Sequence, residues 1–127
     1  MDEILENNLL LSEFIGSKQT DNGYFIPVFG IVNINSVELG QSKTTKYHKD
    51  WNWLMTVVDH IETLSDDLNG NYCVYIHSNC CQIFGSKFKQ KLKQFNFEQY
   101  DLDKQTATYK CVITFINWYN KNKHVTI

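Results

Sequence analysis

The segment from Asp50 to Leu64 constrains the fold more than any other part of the chain. Wound at about 100° per residue, Trp51, Trp53, Leu54, Met55, Val57, Val58, Ile61 and Leu64 fill one continuous half of a helical wheel, and Asn52, Thr56, Asp59, His60 and Thr63 fill the other. An apolar arc that broad is stable in water only against another hydrophobic layer. Asp50 is a natural N-cap, its carboxylate placed to accept from the first free amides of the helix. Two of the three tryptophans fall in this helix, so its entrance either locks a core or lines a recognition surface.

The flanking sequence supplies the other layers. Residues 2–15 predict a first helix, capped by Asp2, with Glu3 and Glu6 at the positive end of its dipole and Gly16 as its stop. Its stripe of Ile4, Leu11, Phe14 and Ile15 is expected to face a sheet. Residues 17–23 read as a polar loop ending in the Asn22-Gly23 turn. Residues 24–34 read as one strand, bent or at an edge because Pro27 and Gly30 interrupt it, and Val37 and Leu39 add a short second strand. After the Asn69-Gly70 turn, residues 72–77 and 80–84 form a hairpin through Ser78-Asn79. Lys87, Lys89, Lys91 and Lys93 alternate as on a solvent-facing strand guarding an edge, although Phe88, Leu92 and Phe95 also match helical spacing. Asp103 opens a last helix to about Asn120, with Tyr109, Val112, Ile113, Ile116 and Tyr119 as its main stripe and Cys111, Phe115 and Trp118 on an adjoining face.

A chain of 127 residues suits a single domain, 1–127, with a core large enough to fold without staples. A net charge of −2 directs it neither to nucleic acid nor to an anionic membrane, and no apolar run reaches the length of a membrane span. The acidic start, Met1-Asp2-Glu3-Ile4, does not read as a secretion signal, so a cytoplasmic protein with reduced Cys73, Cys80, Cys81 and Cys111 is expected. All 12 basic residues are lysine. Bidentate guanidinium forks are therefore absent, and any anion must be held by lysine, backbone amides or helix ends.

Few patterns carry catalytic chemistry. Cys73-x3-His77-x2-Cys80-Cys81 gathers soft ligands, but along a hairpin and without the second close pair that a zinc knuckle needs. In His60-Ile61-Glu62 the two side chains lie about 160° apart on a helix, and no Pro-Cys-x-x-Cys follows to complete a deaminase metal shell. The six glycines are scattered singly and form neither a phosphate loop nor a dinucleotide fingerprint. Asp66-Asp67 and Asp101/Asp103 read as caps and solvated turns. No catalytic residue, metal site or cofactor is expected. The approach to the tryptophan helix is different: Tyr47, His48, Lys49 and Trp51 can form a pocket in which amides and the dipole hold an anionic group while aromatic rings stack on a flat one. The bland counterpart is a staple between Tyr47 and Trp51 that fixes the chain direction.

Tyr47-His48-x-x-Trp51-Asn52-Trp53-Leu54-Met55-x-Val57-Val58-x-x-Ile61-Glu62, followed by Val112-x-x-Phe115-Ile116-x-Trp118-Tyr119-Asn120, resembles a family of small phage and bacterial proteins with the phage "ABA sandwich" type of domain. The piece from Asn7-Asn8-Leu9 to Phe14-x-Gly16 is similar too, so the likeness spans most of the chain. Thr56 stands where proline is expected, Gln105-Thr106-Ala107-Thr108 replaces a more acidic and apolar helix start, and 86–101 matches nothing in the pattern. The resemblance implies a single-domain three-layer α/β/α sandwich with a mostly antiparallel central sheet and about three helices. It brings no activity and no catalytic residue.

The functional expectation is a non-catalytic phage-type accessory protein that binds a host or phage protein, or self-associates as a homo-oligomer, through the surplus apolar face of Cys111, Phe115 and Trp118. Two alternatives stand beside it. One is a binder that sequesters a small anionic or nucleotide-like ligand at Tyr47, His48, Lys49 and Trp51; the other is a small hydrolase dependent on a metal or on cysteine, using His77 and the thiols.

Overall fold

The computed structural model describes residues 3–20, 23–26, 30–32, 45–66, 70–86 and 96–122. They form three helices, α1 (Glu3–Phe14), α2 (Trp51–Glu62) and α3 (Lys104–Asn122), and seven strands, β1 (Lys18–Thr20), β2 (Gly23–Ile26), β3 (Gly30–Val32), β4 (Ser65–Asp66), β5 (Gly70–His77), β6 (Cys80–Gly85) and β7 (Asn96–Tyr100). The chain is thus a mixed α/β protein. Every pairing is antiparallel, in one sheet of order β1-β2-β3 and another of order β4-β5-β6-β7.

Local chemistry explains the helix ends. In α1, Ser17 N donates to Ser12 O at 3.0 Å and Gly16 N to Glu13 O at 3.1 Å, with Gly16 at φ 95°. This is the Schellman stop, which favours glycine because its turning residue is left-handed. At α2 the Asp50 carboxylate accepts from Asn52 N at 2.8 Å, the expected cap. At α3 the Asp103 carboxylate accepts from both Thr106 N and Thr106 Oγ1, at 2.9 and 2.6 Å.

The β5–β6 hairpin pairs His77 with Cys80 across Ser78-Asn79, as its sequence predicts. Alternation gives the sheet two unlike faces. Tyr72, Val74 and Ile76 of β5 lie opposite Gly85, Ile83 and Cys81 of β6 and turn into the core. On that face α2 packs on β5, α3 lies across β6, β7 and β5, and α1 packs on α3. A single apolar cluster joins them, drawing Leu11 from α1 and Ile15 just past its end, Trp53, Leu54, Val57, Val58 and Ile61 from α2, and Val112, Phe115 and Ile116 from α3. The half-wheel of α2 is therefore buried at Trp53, Leu54, Val57, Val58 and Ile61 and partly buried at Met55 and Leu64, while Trp51 at its start is exposed.

Three expectations change. The buried stripe of α1 is Asn8, Leu11, Ser12 and Ile15, while Ile4 is exposed; polar residues take core positions because α3 and the segment before α2 offer them hydrogen bonds. The expected loop at 17–23 holds β1, and the expected single strand at 24–34 is two, β2 and β3, paired with each other. The strand assigned to Val37 and Leu39 and the lysine alternation at 87–93 lie outside the described residues.

Candidate functional site

The residues singled out at the entrance of α2 do not converge on an opening. Tyr47 is fully buried. Its ring packs edge-on against Trp53 with centroids 5.0 Å apart, and its hydroxyl accepts from Ser12 Oγ at 3.2 Å. Desolvation pushes the Tyr47 phenol up to about 12, partly opposed by the Ser12 hydrogen bond. His48 is half-buried and faces Asn8, whose Nδ2 lies 3.0 Å from His48 Nδ1 and 3.2 Å from Thr45 Oγ1. Since an amide Nδ2 only donates, Nδ1 accepts and the imidazole carries its proton on Nε2. Tyr109 Oη completes the network by donating to Asn8 Oδ1 at 2.8 Å. Lys49 is exposed and Trp51 is 37% exposed, both facing solvent. Tyr47 and His48 thus join α1, α3 and the approach to α2 from within, and among the described residues they face inward while Lys49 and Trp51 are exposed.

The face proposed as an interface is corrected as well. Cys111 and Phe115 are fully buried, and Trp118 packs against the same core. Phe115 meets Tyr72 at 5.0 Å and stacks with Tyr119 at 5.7 Å. Cys111 and Phe115, enclosed by their own chain, cannot be offered to a partner, while Trp118 is half-buried. The outward side of α3 is instead Lys104, Lys110, Thr114, Asn117 and Lys121.

The cysteines divide by strand parity. Cys73 and His77 share the outer face of β5, with Cys80 beside His77 in the ladder. Four residues of strand separate Cys73 and His77 by about 13 Å, farther than one ion spans. Cys81 points the other way, into the core, where the Cys111 thiol holds it below its ordinary value against the desolvation that would raise it, helped by the Thr108 hydroxyl. Among the described residues no group of three or more His, Cys, Asp and Glu could hold a metal ion, and no helix is long and apolar enough to cross a membrane.

Two surfaces emerge that the sequence did not advertise. The first is the outer face of the sheet and the corner beyond it. Tyr75 is 56% and Tyr100 62% exposed. His77, Cys80 and Tyr100 form one row across β5, β6 and β7, in which Cys80 is buried between its exposed neighbours, with the Tyr75 and His77 rings 5.0 Å apart. Leu102, two residues past Tyr100, is 99% exposed. It is not on a free loop. Its amide donates to Asp101 Oδ1 at 2.7 Å, Asp101 N donates to Asn79 O at 3.1 Å, and Lys110 Nζ pairs with Asp101 Oδ2 at 2.6 Å. That ammonium holds the Asp101 carboxyl below the ordinary range. Alternation in 72–77 and in 96–100 was the available signal for Tyr75 and Tyr100; the exposure of Leu102 had none.

The second is a cleft of about 450 Å³ lined by Glu13, Phe14, His60, Leu64, Tyr119 and Asn120. Phe14 stands edge-on to both His60, at 4.9 Å, and Tyr119, at 6.1 Å. Neither a known protein family, nor a curated protein, nor a solved structure matches this chain, so the chemistry of these surfaces has to be read from the residues themselves.

Proposed function

We propose that the chain is a non-catalytic, phage-type accessory protein of the host cytoplasm, and that it works by binding another protein, from host or phage or a second copy of itself, through the outer face of the four-stranded sheet. The observation that carries this is Leu102, a large aliphatic side chain almost wholly in water yet held there by a hydrogen-bonded turn, two residues past the exposed Tyr100, with Tyr75 exposed on the same sheet face two strands away. Isolated exposed apolar residues are ordinary. A braced leucine beside an exposed tyrosine, at the edge of a sheet face that exposes a second one, is different, because tyrosine is enriched where protein partners dock and the ordering cost is already met in the free chain. In this reading the three-layer α/β/α arrangement implied by the family resemblance is completed by the partner, which supplies the layer over the outer face.

The test pairs solution mass with capture. Wild-type protein should either dimerise with rising concentration or retain a defined partner from host extract. Both behaviours should be lost in Tyr100→Glu/Leu102→Asp and kept in Asn117→Glu, which alters the outward side of α3. A wild type that stays monomeric and retains nothing, or binding indifferent to Tyr100 and Leu102, would overturn the proposal.

A further inference from the structure

The cleft carries an inference independent of the sheet face. Each of its walls is the end of a helix. Glu13 and Phe14 are the last residues of α1, His60 is in the last turn of α2 with Leu64 just beyond it, and Tyr119 and Asn120 are in the last turn of α3. The carboxyl ends of all three helices therefore meet at one opening. Each such end carries the equivalent of roughly half a negative charge. The carbonyls of Ser12, Glu13, His60, Ile61 and Trp118 are already bonded within the chain, so what acts on the opening is the remainder of that charge. Glu13, exposed at the rim, adds a full negative charge. Lys121 shares the last turn of α3, but about 160° round the helix from Tyr119, and is not part of the lining. An anion placed here would face three unfavourable dipoles and a carboxylate.

The remaining walls are aromatic. The Phe14, His60 and Tyr119 rings meet edge to face, and Leu64 adds an aliphatic floor. A bare metal ion needs a shell of oxygen ligands at short range, which one carboxylate and one amide do not make. An ammonium carried on an apolar body suits the walls better: its charge is attracted to the Glu13 carboxylate and the helix carboxyl ends, and its carbons take the place of water against Phe14, Leu64 and Tyr119. About 450 Å³ falls within the size range of small-ligand sites.

We infer that this cleft is a binding site for a small organic cation, an amine or quaternary ammonium compound, with Glu13 and the three helix ends supplying the charge complement and Phe14 and Tyr119 the aromatic wall. Choline is a suitable probe, with the neutral alcohol in which carbon replaces its ammonium nitrogen as the control. In an amide NMR titration of the whole chain, choline should shift Glu13, Phe14, His60 and Tyr119, and the neutral alcohol should bind about tenfold more weakly. Glu13→Gln changes one exposed charge without touching the core and should weaken choline about fivefold, an effect that shrinks with added salt; Phe14→Leu should weaken it similarly while leaving the rim charge in place. No shift at these amides with choline at about 10 mM, a weak-binding limit on the affinity scale, would overturn the assignment. Equal binding of the neutral alcohol, or an unchanged affinity in Glu13→Gln, would overturn it too.

Discussion

Asn8 shows how a single side chain can organise three elements. It sits on α1, donates to Thr45 and His48 ahead of α2, and accepts from Tyr109 on α3, all without solvent contact. Replacing it with alanine removes three hydrogen bonds at once. Asn8→Ala should therefore cost about 3 kcal/mol, against about 1 kcal/mol for Tyr109→Phe, which removes one bond and its donor together; urea midpoints of the two variants check the ranking. Tyr47 makes a separate prediction. Its phenol is held protonated up to about 12 in the fold, against an ordinary 10.0. Between those values the folded chain retains a proton that the unfolded chain has lost, so stability falls as pH rises. The contribution is intact below pH 10 and exhausted above about 12. Denaturation at the two ends of that window should show wild type losing about 2–3 kcal/mol more than Tyr47→Phe. The sequence marked Tyr47 and His48 as unusual, but it could not name their partners, because Asn8 and Ser12 are polar residues at core positions and a hydropathy pattern reads them as solvent-facing.

At the scale of elements, legibility followed length and periodicity. The α2 helix and the β5–β6 hairpin were readable because a wide apolar arc and strict alternation each leave one solution. β1 is three residues long, Lys18–Thr20, too short and too polar to show alternation. Pro27 and Gly30 signalled an interruption without distinguishing a bend from a reversal. The α3 helix was misjudged for a different reason. Its apolar circumference exceeds what one sheet covers, and the surplus looked like an interface; in the fold α1 and α2 also pack against it. Phe115→Ala should accordingly behave as a core deletion, costing about 4 kcal/mol with no change in the mass of the folded protein. Calorimetry with light scattering separates that outcome from a lost interface. The hairpin turn offers the opposite sign. Ser78 adopts φ 49°, a left-handed conformation that penalises a side chain, at the first turn position where glycine is favoured. Ser78→Gly should raise stability by about 0.5–1 kcal/mol in the same assay, if the relieved strain exceeds the freedom glycine adds to the unfolded chain.

For the molecule as a whole, pattern was enough to give an α/β chain with three helices, whereas the one central sheet expected is two antiparallel sheets among the described residues, and pattern could not say which faces those helices leave open. That depends on where α1 docks, which in turn rests on hydrogen bonds spanning up to 101 positions. The same arrangement also makes the four thiols an internal clock. Cys80, Cys81 and Cys111 are buried, the first two on opposite faces of one sheet and the third on α3, and Cys73 alone is half-exposed. One sulfur is open to a thiol reagent in the native protein, and the other three are reached only when the layers part. The colour released after the first equivalent therefore times the opening of the core under native conditions, with no denaturant added and no label introduced.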